Sequence, residues 1–312
     1  MQALIRFNSR VILVLGATGR IGQRVVDRLL AAGAPVRVFA RPTSMIPERW
    51  RAEVARGDLT DPRSIAAAAR GCSTVFLLSA MHPNLDVSEK AAISAAVSAG
   101  VHDVVKMSTT APAIDSPISW WRAHWLAEQH LRAAPVGWTI LRPNGIAMFL
   151  MDFAPEIAAT RTFHTAAGAG AMALIHPDDV AEAAVSVLTD APGHRGTTRD
   201  LTGPRAVSYD DIAVILSTIL GTPVTHRTEP PSLALLRLRQ QGLLPWEAEG
   251  VVANWTMTRD GAGNFARVTG DVEFLTGRPP RAVDAFLADH AADFVARRHR
   301  AQHGSAAVAE HG

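Results

Sequence analysis

The chain has 312 residues, 48% of them hydrophobic, and a formal net charge of +2 with basic residues spread along it, so we expect no nucleic-acid partner. Its one cysteine, Cys72, excludes a disulfide framework and any metal site built on several cysteines. No apolar run is long enough to span a membrane and residues 1–10 lack a signal-peptide core, so we expect a cytoplasmic protein without a membrane partner.

The first predicted elements are a strand, a tight turn and a helix. Residues 11–15 are an unbroken apolar run, and an amphipathic stretch follows over residues 23–32. Between them lie Gly16, Ala17, Thr18, Gly19, Arg20, Ile21 and Gly22. Glycines at this spacing let the backbone turn sharply and approach a pyrophosphate, which binds at the positive end of the helix. The segment predicts a dinucleotide-binding site, and a strand–helix turn without a ligand is the alternative.

The second predicted strand, residues 34–40, indicates which dinucleotide is bound. An NAD site places an acidic residue near the end of this strand to bind the ribose 2′-hydroxyl. This chain has Arg41 there and no acid before Glu48. A guanidinium suits a 2′-phosphate, and Arg20 is a second candidate ligand. The sequence therefore favours NADP(H), with ordinary surface arginines as the alternative.

Strands and helices continue to alternate up to about residue 145. Strands are predicted over residues 53–56, 74–78, 101–107 and 138–141, and helices from Asp61-Pro62 and over residues 85–99 and 119–134. This pattern predicts an α/β Rossmann fold, a doubly wound parallel sheet with ligands at one edge. We interpret residues 1–145 as the NADP-binding domain, 146–296 as a smaller, mostly helical substrate lobe interleaved with the sheet, and 297–312 as a disordered tail.

Further candidate cofactor contacts follow the predicted strands at this edge. They are Asp58, Leu59, Ser79, Ala80, Pro143 and Asn144. Asp58 is placed to receive the adenine amino group, or else it bonds its own turn. The small residues Ser79 and Ala80 leave room for the cofactor. In residues 143–146 a backbone amide is placed to hold the nicotinamide carboxamide.

Several segments resemble the NmrA-like, atypical short-chain dehydrogenase/reductase family. They are Val105-Lys106-Met107-Ser108, His124-x-x-x-Glu128-Gln129, Leu141-Arg142-Pro143-Asn144-Gly145, and residues 176–181, 201–204, 208–209 and 275–280. With the Gly-x-x-Gly-x-x-Gly turn, these landmarks cover nearly the whole chain. The resemblance implies NAD(P)H-dependent reduction of quinones, dyes or related compounds, or cofactor binding by a redox sensor without turnover.

The wider superfamily's Tyr-x-x-x-Lys pair is absent from this chain. His124 and Glu128 stand at the corresponding positions, and the one tyrosine, Tyr209, lies far along the chain at a predicted helix start. Residues four apart share a helix face, so we expect Glu128 to raise the pKa of His124. His124 is then the candidate proton donor to the substrate, and a surface His–Glu pair is the alternative.

Polar residues also end the strand at residues 101–107. Ser108 and Thr110 are candidate substrate-orienting hydroxyls, and the sequence does not rank them firmly against Thr109. Lys106, just before them, either contacts the ribose hydroxyls of the cofactor or points to solvent.

An apolar pocket is expected between the sheet edge and the lobe. Its candidate lining residues are Trp121, Met148, Phe149, Met151 and Phe153. For the tryptophans near His124, a role as core anchors is the alternative. His176 and the two aspartates after it cap a helix that begins at Pro177, so no metal site is predicted.

The sequence thus predicts an NADP(H)-dependent oxidoreductase, monomeric or homodimeric, that reduces a hydrophobic quinone, imine, carbonyl or conjugated aromatic compound. A cofactor-binding redox sensor and a cyclase or isomerase that reuses the fold are the alternatives.

Overall fold

The computed structural model describes residues 10–295, so the predicted tail at 297–312 lies outside the described residues. The strands are β1 Val11–Val14, β2 Val36–Ala40, β3 Glu53–Arg56, β4 Cys72–Leu77, β5 Asp103–Met107, β6 Gly137–Pro143, β7 Thr162–Thr165, β8 Ala171–Met172, β9 Thr197–Leu201, β10 Val207–Ser208 and β11 Thr225–Thr228. The helices are α1 Arg20–Ala31, α2 Pro62–Ala69, α3 Leu85–Ser98, α4 Ser119–Ala133, α5 Ala154–Thr160, α6 Pro177–Thr189, α7 Tyr209–Leu220, α8 Pro231–Gln240, α9 Pro245–Arg259, α10 Asp271–Thr276 and α11 Val283–Asp289.

The main sheet has the strand order β3-β2-β1-β4-β5-β6-β9, and every pair in it is parallel. The predicted α/β Rossmann fold is confirmed. The chain leaves β1 in one direction along the sheet and returns at β4 to continue in the other. Ligands bind at such a switch point, outside the carboxyl ends of the strands. The glycine turn after β1 and the segment after β4 meet there.

Helices cover both faces of the sheet, which explains why its central strands are continuously apolar. Successive side chains of a strand point to opposite faces. Ile12 and Val14 of β1 accordingly pack with α1 and α6, whereas Leu13 and Leu15 pack with α2 and α3. Within residues 10–295 no helix has the length and apolarity needed to cross a bilayer.

Local sequence signals set several helix starts. Asp61 caps α2, Ser208 caps α7 and His176 caps α6, each by accepting a hydrogen bond from an amide in the first turn. The helix starts predicted at Asp61-Pro62, at His176-Pro177 and at Tyr209 are confirmed. Tyr209, at the start of α7, is buried in the lobe core, and its hydroxyl accepts a hydrogen bond from Trp255 Nε1 at 3.0 Å. Burial raises the pKa of Tyr209, so the phenol stays protonated.

The lobe has its own hydrophobic cluster, formed by α5, α7, α8, α9 and α11 with two small sheets, β7 with β11 and β8 with β10. The chain does not stay in the lobe after β6, because α6, β9 and α10 pack on the main sheet. Buried Asp179 of α6 accepts hydrogen bonds from Arg278 and Arg281, which fixes α6 to the segment between α10 and α11. The division at residue 145 stays an interpretation.

Helix α4 joins the sheet to the lobe. Trp120 packs edge-on against Trp246, with 6.2 Å between ring centroids, and it fills the space beside Gly250, where a Cβ would overlap its ring. Trp121 packs against Phe265, with 5.3 Å between centroids. The first turn of α4 is therefore held by the lobe.

Candidate active site

The three glycines of the turn after β1 are required for different reasons. Gly16 has a φ of +73°, and a Cβ there would overlap the carbonyl oxygen of Leu78. A Cβ at Gly22 would overlap the carbonyl oxygen of Gly16. Gly19 has a φ of −73°, and the one atom near its Cβ position is the Gly16 carbonyl oxygen at 3.3 Å. Packing within the protein explains Gly16 and Gly22, whereas Gly19 borders open space.

The start of α1 offers backbone donors to an anion. Gly19 is the N-cap, no side chain caps the helix, and the first turn contains no acidic residue. In the part of the chain that the structure describes, the amides of Arg20 and Ile21 have no protein acceptor. Gln23 Nε2 donates to the carbonyl oxygen of Thr18 at 2.9 Å and holds the turn, and Ala17 is buried beneath it. Free amides at the positive end of a helix fit a dinucleotide pyrophosphate.

Two guanidinium groups lie at the end of β2 and β3. Arg41 is exposed directly after β2, and no carboxylate among residues 10–295 pairs with it. Arg56 donates to the carbonyl oxygens of Arg41 at 2.9 Å and Ser44 at 2.8 Å, which holds its guanidinium beside this loop. Arg20 is exposed at the start of α1. Their charge and geometry fit a ribose 2′-phosphate, and the sequence reasoning missed Arg56.

Asp58 hydrogen-bonds within its own turn, which was the alternative to a contact with the adenine amino group. Its Oδ1 accepts hydrogen bonds from the amide of Thr60 at 2.9 Å and from the Thr60 hydroxyl at 2.7 Å. These bonds hold the pKa of Asp58 below its usual value. Half-buried Leu59 lies next to it, and Ser79 and Ala80 follow β4 beside the glycine turn.

The segment after β6 has few free backbone amides. Pro143 has no amide hydrogen, and the Asn144 amide donates to a carbonyl oxygen of β9 at 2.8 Å. The buried Asn144 side chain donates to the carbonyl oxygen of Phe265 at 2.7 Å and accepts from the Gly145 amide at 2.8 Å. Pro143 and Asn144 therefore offer no free backbone amide to a nicotinamide, and their role as cofactor contacts stays a prediction. The Ile146 amide is the one in this segment without a protein acceptor in the described chain.

His124 lies in a buried polar cluster with Lys106 and Glu89. Lys106 Nζ is 3.0 Å from His124 Nδ1, 2.5 Å from Glu89 Oε2 and 3.2 Å from the carbonyl oxygen of Met107. An ammonium has three donors and no acceptor, so these contacts use all three protons. Lys106 therefore has no proton left for a ribose hydroxyl and no solvent exposure. Both roles predicted for it are wrong.

The contact between Lys106 Nζ and His124 Nδ1 determines which nitrogen of His124 carries the proton. Because the ammonium of Lys106 can only donate, Nδ1 accepts, and the neutral ring carries its proton on Nε2. Nε2 makes no hydrogen bond to protein within residues 10–295. It is also not fully buried, so solvent or a ligand can reach it. About 10% of the His124 side chain is exposed, against none for Lys106 and Glu89. The Nε2–H group is thus the accessible part of the cluster.

Burial and charge fix the protonation states of this cluster. Burial lowers the pKa of His124, the Lys106 ammonium lowers it further, and Glu89 opposes both only in part. Burial alone would raise the pKa of Glu89, but the Lys106 ammonium beside it holds this pKa well below its usual range. At neutral pH the cluster therefore contains a carboxylate, an ammonium and a neutral imidazole.

Glu128 does not set the state of His124. Its carboxylate forms a two-point pair with Arg142, with Oε1 to Nε at 2.9 Å and Oε2 to Nη2 at 2.5 Å, and it also pairs with Arg132 at 3.0 Å. Glu128 does act to raise the pKa of His124, as expected, but burial and the Lys106 ammonium outweigh it, so the pKa lies below its usual value. Glu128 instead fixes α4 to β6.

The hydroxyls after β5 are not equivalent. Ser108 is buried and donates to Glu128 Oε1 at 2.6 Å, so the prediction that it orients a substrate is wrong. Thr110 is held by its amide, which donates to the carbonyl oxygen of Pro143 at 3.1 Å. The half-buried hydroxyls of Thr109 and Thr110 have no protein partner within residues 10–295. Thr110 therefore stays a candidate for the substrate-orienting role.

The sequence matches the model of the NAD(P)H-binding family over residues 16–191. The chain belongs to this family. An NAD(P)H azoreductase of Xenophilus azovorans is 32% identical over 290 residues, which cover 92% of this chain and 100% of the relative. The (4-alkanoyl-5-oxo-2,5-dihydrofuran-3-yl)methyl phosphate reductase of Streptomyces griseus is 33% identical over 289 residues, 91% and 99% of the two chains. The predicted cofactor class and the oxidoreductase class are confirmed.

The fold of this family member is also that of solved structures. An NADPH-dependent quinone oxidoreductase from Escherichia coli, complexed with NADPH, superposes with a TM-score of 0.80. It is 22% identical, and the match covers 90% of this chain and 98% of the other. At this identity the likeness establishes the fold.

Two of the five predicted substrate residues lie in the core of this family member. Trp121 is 2% exposed and Phe153 is 7% exposed, where Phe153 packs against Phe163 with 5.1 Å between centroids. Both predictions of a pocket wall are wrong, because packing buries these rings. Met148, Phe149 and Met151 are partly buried in the 3₁₀ helix Ala147–Phe153. Met148 packs on both the sheet cluster and the lobe cluster, at the boundary between them.

Sequence reasoning missed Glu89, the buried partner of Lys106. In the sequence Glu89 stands between Ser88 and Lys90 in a helix and looks like an exposed charge. The available signal was Lys106, because a lysine inside a buried parallel strand needs a carboxylate partner. The described residues contain no group of three or more His, Cys, Asp or Glu side chains able to hold a metal ion.

The open space at Gly19 leads to a test of the cofactor site. We expect Gly19→Val to reduce NADPH affinity by more than tenfold while the midpoint of thermal unfolding stays close to that of the wild type. The valine side chain would occupy the space where a phosphate approaches, and the Gly16 carbonyl oxygen, 3.3 Å from the Cβ position, would have to move only slightly. Gly270→Val is the control, because Gly270 has a φ of −88°, borders open space and lies at the start of α10. Unchanged NADPH affinity in Gly19→Val, measured by calorimetry, would exclude this turn as the phosphate site.

Proposed function

We propose that the protein is an NADPH-dependent reductase of hydrophobic aromatic small molecules, with His124 as the proton donor. The observation that carries the proposal is the neutral imidazole whose accessible Nε2–H lies on α4, near the carboxyl edge of the sheet. The curated relatives, an azoreductase and a furanone-type reductase, support the reaction class. The oligomeric state and the cytoplasmic location stay predictions.

Each group of residues has a separate role in the proposed reaction. When bound, NADPH supplies a hydride. The turn at residues 16–22 binds the pyrophosphate, and Arg41, Arg56 and Arg20 bind the 2′-phosphate. The partly buried side chains of Met148, Phe149 and Met151 would line the apolar side of the substrate site. His124 donates its Nε2 proton to the oxygen or nitrogen that becomes negative as the hydride arrives, a role for which a group within hydrogen-bond reach of the substrate suffices.

A spectrophotometric assay tests the proposal directly. Purified protein is mixed with NADPH and a panel of azo dyes, quinones, imines and enones, and the absorbance of the reduced nicotinamide is followed. Consumption of NADPH in proportion to one of these substrates is the expected result. Tight NADPH binding without consumption would overturn the reductase proposal in favour of a sensor. Conversion of a substrate without net NADPH consumption would instead indicate a cyclase or isomerase.

Cofactor preference is tested at Arg41. We expect Arg41→Ala to weaken NADPH binding by about tenfold or more and to leave NADH nearly unchanged, since a charge-assisted hydrogen bond contributes about 1.5–3 kcal/mol. Isothermal titration calorimetry with both cofactors measures the difference. Arg70→Ala is the control, because this exposed arginine ends α2 at the opposite edge of the sheet. Equal wild-type affinities for NADPH and NADH would exclude a 2′-phosphate site at Arg41.

A further inference from the structure

Three separate elements meet in the buried cluster, and two of them bring charged groups to the buried side of His124. Glu89 comes from α3, Lys106 from β5 and His124 from α4. A fully buried ion pair is a weak source of stability, because desolvation of both charges offsets their attraction. Glu89 Oε1, moreover, is buried without a partner among residues 10–295. An arrangement this costly in desolvation points to a role in setting the chemical state of its neighbour.

The neighbour of the Glu89–Lys106 pair is His124, and the state in question is its tautomer. In a free imidazole the proton exchanges between the two nitrogens, and the hydrogen bond made by one nitrogen decides which tautomer is present. Lys106 Nζ donates to Nδ1 at 3.0 Å, and Glu89 Oε2 holds that ammonium at 2.5 Å. The other charges near the ring are Glu128, on α4 itself, and its partners Arg142 and Arg132. These partners neutralise Glu128, so the Glu89–Lys106 pair has the largest effect on the tautomer of His124.

We propose that the Glu89–Lys106 pair holds His124 as its Nε2–H tautomer and returns a proton to Nδ1 when Nε2 protonates the substrate. The His124 Nε2–H bond breaks as the substrate O–H or N–H bond forms, and a Lys106 Nζ–H bond breaks as the His124 Nδ1–H bond forms. The hydride supplies the electron pair that reduces the substrate. The net charge of the cluster changes from 0 to −1, which balances the positive charge that hydride loss leaves on the cofactor. The inference rests on the proposed function.

Nitrogen-15 NMR of the histidine rings, recorded with and without NADPH, reads the tautomer without any substrate. The His124 signals are assigned by their loss in His124→Gln. In the wild type we expect a proton on Nε2 and none on Nδ1 near neutral pH. In the double variant Lys106→Met/Glu89→Gln, which leaves no buried charge unpaired, the Nδ1–H tautomer should appear. Lys90→Met, which removes a partly exposed pair with Asp86 on α3, is the control and should keep the wild-type tautomer.

Kinetics test the proton-return step. The double variant should lose about 10–100-fold in turnover, the usual effect of removing a group that orients a reactive histidine or ligand, with NADPH affinity unchanged. The single variant Lys106→Met leaves the Glu89 carboxylate beside His124, which favours imidazolium. Its turnover should therefore be present at low pH and be lost as pH rises through the new His124 pKa, a dependence absent from the wild type.

Two results would overturn the inference. One is a wild-type His124 with its proton on Nδ1. The other is a double variant with wild-type turnover and tautomer. An inactive wild-type protein would overturn the proposed function and the proton-return step together, whereas the tautomer measurement would still decide the state of His124. The two failures are therefore distinguishable.

Discussion

Replacement of His124 by alanine is expected to lower turnover by about 10²–10⁴-fold, the range for loss of a general acid, while NADPH affinity stays within twofold. The reason is that the accessible Nε2–H group is the proposed proton source, whereas the proposed cofactor contacts lie at α1, β2 and β3. Lys106 keeps Glu89 and the Met107 carbonyl oxygen as partners in this variant, so the fold should survive. Single-turnover oxidation of NADPH with the best substrate gives the rate.

His130 provides a matched control on the same helix. It lies nearer the end of α4, and its Nε2 is 2.9 Å from the Ser94 hydroxyl, away from the cluster around Lys106. His130→Ala should retain the wild-type rate. If His124→Ala retained it as well, the proton would have to come from water or from the hydroxyls of Thr109 and Thr110.

The largest stability effect is expected at Asp179. This carboxylate is fully buried and accepts hydrogen bonds from Arg278, Arg281 and the Arg281 amide. Asp179→Asn should lower the free energy of unfolding by about 3 kcal/mol, the low end of the range for breaking a buried ion pair, because both arginines are partly exposed and keep Glu182. Urea denaturation followed by circular dichroism measures this value.

An exposed ion pair on α9 serves as the comparison. Glu249 pairs with Arg239 at 2.9 Å, and both side chains are largely solvent-exposed. Glu249→Gln should change the free energy of unfolding by less than about 1 kcal/mol, as is usual for surface pairs. Equal effects of the two substitutions would show that Asp179 does not fix α6 to the segment between α10 and α11.

The sequence was sufficient for features whose cause is local. The apolar run at residues 11–15 is buried on both faces, so it has the composition of a central parallel strand. Asp61 and Ser208 cap their own helices, and the glycine turn needs only its neighbours to be recognised. The two-residue strands β8 and β10 have no such signature, because they are too short for a pattern to repeat.

The environment of His124 depends on contacts between distant parts of the chain. Glu128 is one turn away on the same helix and was the obvious partner, yet Arg142 on β6 binds it. Glu89 lies 35 positions before His124 in the chain, and packing of α3 against α4 brings it to Lys106. Helix spacing predicts which residues share a face, but it does not predict what packs against that face.

The contacts that fix α4 bear on two requirements of catalysis, a fixed proton donor and an adaptable substrate site. Its first turn is fixed by Trp120 and Trp121 against the lobe, and a later turn is fixed by Glu128 against β6. His124, the proposed proton donor between them, would therefore keep one position for every substrate. Met148 and Met151, proposed substrate contacts on the 3₁₀ helix, would adapt to ring systems of different shape, because unbranched, polarisable side chains repack at little cost. Such a protein combines strict geometry for proton delivery with tolerance in what it accepts.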